Sequence, residues 1–173
     1  NIVADSPSGV AAPRKFDYSV LKNGSVSLNA GSDALTFPYN ADFDLGSSWT
    51  IEFWFYPYDT TNAKVLGTRG DSSPRGWEIV YWNGGQIGIE QYGDQTTSGQ
   101  QRGTKLLAPL AWHHVAITHN GTNTRTYIDG FADLNYTGSS GSNWGSGGHS
   151  LRIGKPESHS EACLLYTSDA ADE

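Results

Sequence analysis

Short apolar segments separated by turn-forming residues constrain the fold of this chain most strongly. Asn83-Gly84-Gly85 lies between the segments WEIVYW (77–82) and QIGIEQY (86–92). Asn and Gly tolerate the positive φ angles of tight hairpin turns. The sequence therefore predicts two antiparallel strands joined at this turn.

The following part of the chain repeats the arrangement. Residues 112–119, WHHVAITH, run to Asn120-Gly121, and the chain returns as TRTYI (124–128) before Asp129-Gly130. Two further turns of the hairpin type predict a meander of short antiparallel strands. LRIG at 151–154 reads as one more strand.

The segment TIEFWFY at 50–56 is apolar in both of its alternating sets of side chains. Ile51, Phe53 and Phe55 alternate with Trp54 and Tyr56, and Pro57 follows. Side chains on a strand point alternately to opposite faces. We therefore predict a central strand that is covered on both faces and ends at the proline.

The composition agrees with an all-β fold of one domain. The 173 residues include 21 Gly, 6 Trp, 9 Tyr, 6 Phe and no Met, and 17% of them are charged. Strand and turn formers thus outweigh the long straight side chains that favour helices. Many short strands with frequent turns are typical of a β-sandwich of two antiparallel sheets.

The charge excludes several classes of partner. The net charge is −7 and no cluster of Lys and Arg is present, so we expect neither nucleic-acid binding nor attraction to a membrane surface. No apolar run approaches the roughly 20 residues that cross a bilayer, so we expect no membrane insertion. The chain begins at Asn1 without a leader, and we expect it to be part of a larger multidomain or oligomeric protein.

The last residues, 163–173, differ in style from the rest. CLLYTSDAADE matches what the outer end of a common DNA-library adapter encodes, so we interpret it as a non-native tail. It contains the single cysteine and three carboxylates, Asp169, Asp172 and Glu173, without a base. Subtracting its charge of −3 from −7 leaves −4 for the remainder.

Three of the five histidines lie in the segment 112–119. On a strand, His113 and His119 share one face and His114 lies on the other. His113 and His119 are then about 20 Å apart, which is too far for one metal ion. We expect one ring to be buried against Trp112 with backbone partners and the others to face water. We predict no metal site.

Four motifs, in order, resemble the laminin-G-like branch of the concanavalin A-like lectin and glucanase superfamily. They are WTIEFWFYP (49–57), WHHVAIT (112–118), YIDG (127–130) and LRIGK (151–155), preceded by DSPSG (5–9) and LTFPYNADFDLGS (35–47). The likeness covers about residues 3–155. This version is similar to domains of phage tail and virion proteins and of bacterial surface proteins.

The resemblance implies a jelly-roll β-sandwich of two antiparallel sheets. It also implies that the sequence is truncated at both ends, because the family's first and last strands are not found. These strands normally pair with each other, so we expect an unpaired sheet edge. We divide the chain into a lead-in segment at 1–17, the sandwich at 18–162 and the non-native tail at 163–173.

Catalysis is the weakest of the functions that we consider. Glucanases of this superfamily carry a Glu-x-Asp-x-Glu strand, which is absent here. Glu78 and Glu90 could approach each other across the hairpin, but we expect both to lie on solvated strand faces. Glycoside hydrolysis is therefore a third hypothesis, and we predict no catalytic residues.

Sugar binding needs an exposed aromatic ring with polar groups beside it. The candidate ligand-binding residues are Trp77, Trp82, Tyr92, Asp94, Asn143 and Trp144. Core packing or a covering role is the alternative for each aromatic ring, because sandwiches bury large rings routinely. Trp144 lies in the Gly- and Ser-rich segment 137–150, which we predict to be a surface loop, and we expect it to be the most exposed.

The leading hypothesis is a non-catalytic recognition module that binds a glycan or another surface ligand. We place it outside the cell or on a virion surface, in a phage tail or bacterial surface protein. A structural spacer domain is the alternative. No cofactor is required, although the resemblance implies that calcium could bind at the rim, where the aspartates also form turns. Those near predicted strand ends are Asp33, Asp42, Asp44, Asp71 and Asp129.

Overall fold

The computed structural model describes residues 26, 28, 34–72, 74–91, 99–137 and 144–155. The predicted lead-in segment and the predicted tail lie outside these residues, as do both ends at which we expect family strands to be missing. The division into three segments therefore stays a prediction.

The described residues form strands and one turn of 3-10 helix at Ala41–Phe43. The strands are β1 Ala34–Phe37, β2 Trp49–Phe55, β3 Ala63–Gly67, β4 Trp77–Trp82, β5 Gln86–Gln91, β6 Gly99–Arg102, β7 His113–His119, β8 Asn123–Ile128, β9 Phe131–Thr137 and β10 Leu151–Gly154. In the first sheet the order is β1-β10-β3-β4-β5-β6, and in the second it is β2-β7-β8-β9. All neighbouring strands are antiparallel. This architecture confirms the predicted all-β jelly-roll sandwich.

The turn chemistry places the hairpins where the sequence predicts them. Trp82 pairs with Gln86, and the intervening Gly84 and Gly85 both have a φ of 93°. Asp129, with a φ of 54°, and Gly130, with a φ of 80°, join β8 to β9. Both residues of this two-residue connection have the positive φ that hairpin turns of this type require. The predicted meander β7-β8-β9 is confirmed.

The core lies between the two sheets. The six-stranded sheet contributes Val65, Ile79, Tyr81, Ile87 and Ile89, and the four-stranded sheet contributes Phe55, Val115, Ile117 and Ile128. Each of these side chains is at most 2% exposed, as close packing of two inner sheet faces requires.

The prediction of a central, doubly covered strand at 50–56 is wrong. β2 is at the end of the order of the four-stranded sheet, and among the described strands it pairs with β7 alone. Phe55 is buried, but Glu52 and Trp54 on the other face are exposed. Apolar side chains on both faces of a strand make exposure of either face unfavourable. They do not determine whether another part of the chain packs over the second face.

Strand β7 alternates as predicted, yet the expectation for its histidines is only partly right. His113 and His119 are both buried on the inner face, whereas His114 is half-buried on the outer face. The ring of His113 lies 3.0 Å from Asp129 Oδ2 and 3.0 Å from the Ala108 carbonyl oxygen. Two rings are therefore buried, not one.

His119 lies among aromatic rings at the opposite end of β7. It stacks on Trp49 with ring centroids 5.6 Å apart, and it lies 5.3 Å from the ring of Trp144. Its Nδ1 is 3.0 Å from the hydroxyl of Thr124. Burial lowers the pKa of His119 because the charged ring would lose its hydration.

The turn carboxylate of Asp129 gives a pH-dependent prediction. Burial raises its pKa, but hydrogen bonds from His113 and from the His114 backbone N–H outweigh this and hold the pKa below 3.8. The ionised carboxylate therefore stabilises the fold fully at pH values well above 3.8, the pKa of the unfolded chain. This stabilisation is lost as the pH falls through the lower pKa of the folded state.

We expect Asp129→Asn, which tolerates the same positive φ, to be less stable than the parent protein at neutral pH. The difference should close as the pH falls well below 3.8. Urea unfolding at a series of pH values measures it, with Asp71→Asn as the control for loss of one exposed carboxylate. A difference that is unchanged at the lowest pH would contradict this assignment.

Candidate functional site

The three described tryptophans that we predicted to bind ligand are buried. Trp144, Trp77 and Trp82 are 1%, 3% and 8% exposed. The expectation that Trp144 is exposed is therefore wrong, whereas the burial of Trp77 and Trp82 agrees with the packing role considered for them. Tyr92, Asp94 and Asn143 lie outside the described residues and remain predictions.

Trp144 differs most from expectation. Its backbone forms an isolated bridge with Leu45, and the Leu45 N–H donates to the Trp144 carbonyl at 2.9 Å. Its ring meets Trp49 edge to face at a centroid distance of 4.9 Å. The surrounding Gly and Ser residues indicated a surface loop, but a small-residue segment can also turn sharply and insert one large ring into the core.

The other two rings are buried on opposite faces of β4. Trp77 belongs to the core, and its Nε1 donates to the Phe43 carbonyl at 3.2 Å. Trp82 is on the outer face, where the Arg102 guanidinium carbon lies 5.3 Å from its ring centroid. Trp77 therefore matches the core-packing alternative, and Trp82 matches the covering role.

Glu78 and Glu90 come together across the β4-β5 hairpin, but they are not solvated. They are directly paired in the register and are 1% and 2% exposed. The prediction of solvated strand faces is therefore wrong. Lys64 Nζ lies 3.2 Å from Glu78 and 3.7 Å from Glu90, and Arg69 lies 2.8 Å from Glu78. We call these four residues the buried ionic cluster.

The environment of Glu78 favours its ionised form. Burial raises its pKa, but the positive charges of Lys64 and Arg69 outweigh this and hold the pKa below 4.5. Retaining glycosidases separate their carboxyl groups by about 5 to 5.5 Å and inverting ones by about 6.5 to 9.5 Å. Here both carboxylates are instead buried and paired with cations, which is typical of a structural ion-pair cluster.

An exposed aromatic surface lies instead on the outer face of β2 and β7 and continues past the adjoining ends of these strands. Trp54 is 62% exposed and its ring centroid is 5.2 Å from that of His114. Tyr56 lies 5.4 Å from Trp112 and 6.1 Å from Tyr58, which is 42% exposed. We call these five residues the aromatic strip.

The aromatic strip has polar groups at its end. Glu52 is two residues before Trp54 on the same face, and its carboxylate is 4.0 Å from Nε2 of His114. The strip thus combines open ring faces with an acceptor and an imidazole. The sequence predicted that Trp54 lies on a covered face, and this is wrong. Alternation shows which side chains share a face of the strand, but it does not show which face is covered by another layer.

A groove on the same outer face lies between β8 and β9. It encloses about 240 Å³ and is lined by Arg125, Tyr127, Ala132, Asp133, Leu134 and Asn135. We call it the β8-β9 groove. In the register, Ala116 lies between Glu52 on β2 and Tyr127 on β8. The small alanine separates the groove from the strip on this face.

The aspartates proposed for calcium do not converge within the described part of the chain. No three His, Cys, Asp or Glu side chains in this part are grouped so that they could hold a metal ion. Asp44 accepts from the Ser146 N–H at 2.5 Å and from the Tyr39 hydroxyl at 3.3 Å. These hydrogen bonds outweigh burial, which raises its pKa, and the net effect is to lower it. Asp33 is outside the described residues, and calcium binding stays a prediction.

The two antiparallel sheets place this domain among the β-sandwich proteins. Residues 29–163 match the laminin G family described as the concanavalin A-like lectin/glucanases superfamily, and the chain belongs to it. A search among curated proteins finds no match. No helix of the described residues is long and apolar enough to cross a membrane.

Solved structures share the fold at low sequence identity. Domain 4 of AbnA, an extracellular GH43 arabinanase from Geobacillus stearothermophilus in complex with arabinotriose, has a TM-score of 0.57 at 16% identity, covering 84% of this chain and 71% of that one. A heptameric SAP-like pentraxin from Limulus polyphemus has a TM-score of 0.50 at 11% identity, covering 79% and 73%.

The binding domain of botulinum neurotoxin serotype D has a TM-score of 0.52 at 15% identity. The alignment covers 84% of this chain but only 39% of that one. At such identities these three likenesses establish the fold alone.

Proposed function

We propose that this domain is a non-catalytic module that binds carbohydrate on the aromatic strip. The observation that carries the proposal is the 62% exposure of Trp54 within a row of aromatic rings. Exposing several adjacent aromatic rings to water is unfavourable. Contiguous exposed apolar patches of this kind mark interaction sites in soluble proteins. The C–H face of a pyranose can pack on an open ring, while Glu52 and His114 can hydrogen-bond to its hydroxyl groups.

The comparisons support the class of ligand without identifying it. One similar domain is described in complex with arabinotriose, and another is the binding domain of a toxin. These likenesses support a binding role for a sandwich of this fold. The buried ionic cluster agrees with this assignment, because Glu78 and Glu90 are both below 3% exposure and a polysaccharide could not reach them without rearrangement.

We place the domain outside the cell or on a virion surface, as part of a larger phage tail or bacterial surface protein. A single strip of this size gives modest affinity. Several copies on one particle would bind far more tightly, because the second contact is made at high effective concentration.

Replacement of the exposed tryptophan tests the proposal. We expect Trp54→Ala to weaken binding by about 30-fold, since a central tryptophan of a binding site contributes about 2 kcal/mol or more. Its free energy of unfolding should change by about 0.5 kcal/mol or less, because the ring is largely exposed. The probes are a panel of immobilised polysaccharides, with arabinotriose in solution, measured with calcium and with chelator.

Tyr39→Ala is the matched control, because Tyr39 is 49% exposed and lies outside the strip. It should bind as the parent protein does. Absence of binding to every polysaccharide in both conditions would reject the proposal in favour of a structural spacer. Release of reducing sugar that is lost in Glu78→Gln would instead establish a hydrolase.

A further inference from the structure

The β8-β9 groove contains an exposed guanidinium that is held in position but not neutralised. Arg125 is directly paired with Asn135 in the register, and its Nε donates to Asn135 Oδ1 at 3.3 Å. The planar guanidinium is therefore fixed at one edge. Within the described part of the chain no carboxylate lies within salt-bridge distance of it, although the net charge of the whole sequence is −7.

The acidic residue in the lining of the groove, Asp133, is hydrogen-bonded to residues outside the groove. Asp133 accepts from the Thr104 N–H at 3.0 Å, from the Thr104 hydroxyl at 2.8 Å and from the Lys105 N–H at 2.7 Å. These bonds hold its carboxylate against the loop that follows β6. The terminal amino groups of Arg125 thus remain available to an anion from solution.

We propose that the groove binds an acidic sugar residue, through a carboxylate or sulfate group that pairs with Arg125. The inference deepens the proposed carbohydrate-binding function and rests on it. A guanidinium presents parallel N–H donors that match the two oxygens of a carboxylate, and fixing Nε reduces the entropy lost on binding. The ring of Tyr127 forms a wall of the groove and gives the sugar an apolar contact.

The positions of the two surfaces allow one glycan chain to contact both. Neighbouring strands are about 4.8 Å apart, so β2 and β8, which are separated by β7, lie about 10 Å apart. Ala116 lies between them and its methyl group does not obstruct the path. Neutral sugar units then pack on the aromatic strip while an acidic unit occupies the β8-β9 groove.

Pairs of glycans with the same sugar backbone, one acidic and one neutral, show whether binding depends on the negative charge of the glycan. We compare galacturonate oligomers with the same oligomers methyl-esterified, and chondroitin sulfate with desulfated chondroitin, by calorimetry at low and high salt. We expect the parent protein to bind at least one acidic form about 10-fold more tightly than its neutral partner. Arg125→Gln should remove this preference, and Arg102→Gln, which removes an equal charge from the other sheet, should keep it.

The outcomes distinguish this inference from the proposed function. Equal affinity for acidic and neutral partners, or equal effects of Arg125→Gln and Arg102→Gln, would overturn the acidic site while Trp54-dependent binding could still hold. Acid-selective binding that Trp54→Ala leaves unchanged would support the groove and contradict the role of the aromatic strip. A preference carried by the sulfated pair alone identifies sulfate as the anion.

Discussion

Trp144→Ala is expected to unfold at a markedly lower urea concentration than the parent protein. Truncating a fully buried tryptophan removes its burial free energy and leaves a cavity, at a total cost of about 3 to 5 kcal/mol. The ring is 1% exposed and contacts Trp49 and His119. The cavity that alanine leaves is therefore enclosed in the core and closed to solvent. The difference in free energy of unfolding is measured by equilibrium urea titration followed by far-UV circular dichroism.

Two variants show whether the loss comes from packing. Trp144→Phe retains much of the apolar contact and should recover a large part of the stability. Trp54→Ala removes the same type of side chain from an exposed position and should lose about 0.5 kcal/mol or less. If Trp144→Ala and Trp54→Ala were equally stable, the burial of Trp144 would be refuted.

Lys64→Met is expected to be the second strongly destabilising change. Lys64 is the cation that contacts both carboxylates of the buried ionic cluster, and its side chain is 8% exposed. Removing one partner of a buried ion pair leaves uncompensated charge and costs about 3 to 5 kcal/mol. Methionine keeps the apolar length of the side chain, so the loss reports charge more than volume. Urea titration at neutral pH measures it.

A second substitution tests the electrostatic cause. Adding Glu90→Gln to Lys64→Met removes one of the stranded negative charges and should restore about 1 kcal/mol or more, a coupling that independent sites would not show. Lys105→Met is the control, because that lysine is 41% exposed in its pair with Asp129 and should change stability by about 1 kcal/mol or less. Additive effects of Lys64→Met and Glu90→Gln would contradict the cluster.

The fold was predictable because its local signals are independent of the rest of the chain. Asn83-Gly84-Gly85 and Asp129-Gly130 specify turns through their own backbone preferences, and the flanking strands follow from alternation. Both hairpins therefore occur where the sequence places them. Family resemblance then supplied the arrangement of strands in two sheets.

The candidate site was not predictable in the same way. Whether a ring is open depends on which residues far along the chain lie against it. Trp144 looked exposed because its neighbours are small and polar, whereas Leu45 and Trp49 surround it. Trp54 looked covered because its neighbours are apolar, whereas no described layer lies over it. Local composition reports the environment along the chain, and burial depends on the environment in space.

The burial of Glu78 and Glu90 also depends on residues that are distant in the sequence. Their polarity predicted solvent exposure, and their pairing across the turn was foreseen from the hairpin. Lys64, which makes burial tolerable, lies on β3, and its approach depends on the register of β3 with β4. A signal was present in the sequence, since Lys64 lies among apolar residues, but its partners could not be assigned without the sheet.

The bridge between Leu45 and Trp144 also has a kinetic consequence. The neighbouring hydrogen bond from Ser146 to Asp44 joins residues 102 positions apart. Closing so long a loop loses chain entropy before any contact compensates for it, and β-sandwiches dominated by such distant pairings fold in milliseconds to seconds. The Leu45 N–H, which donates to Trp144, should therefore become protected late in refolding, after the hairpins of the meander, as measured by pulsed hydrogen exchange.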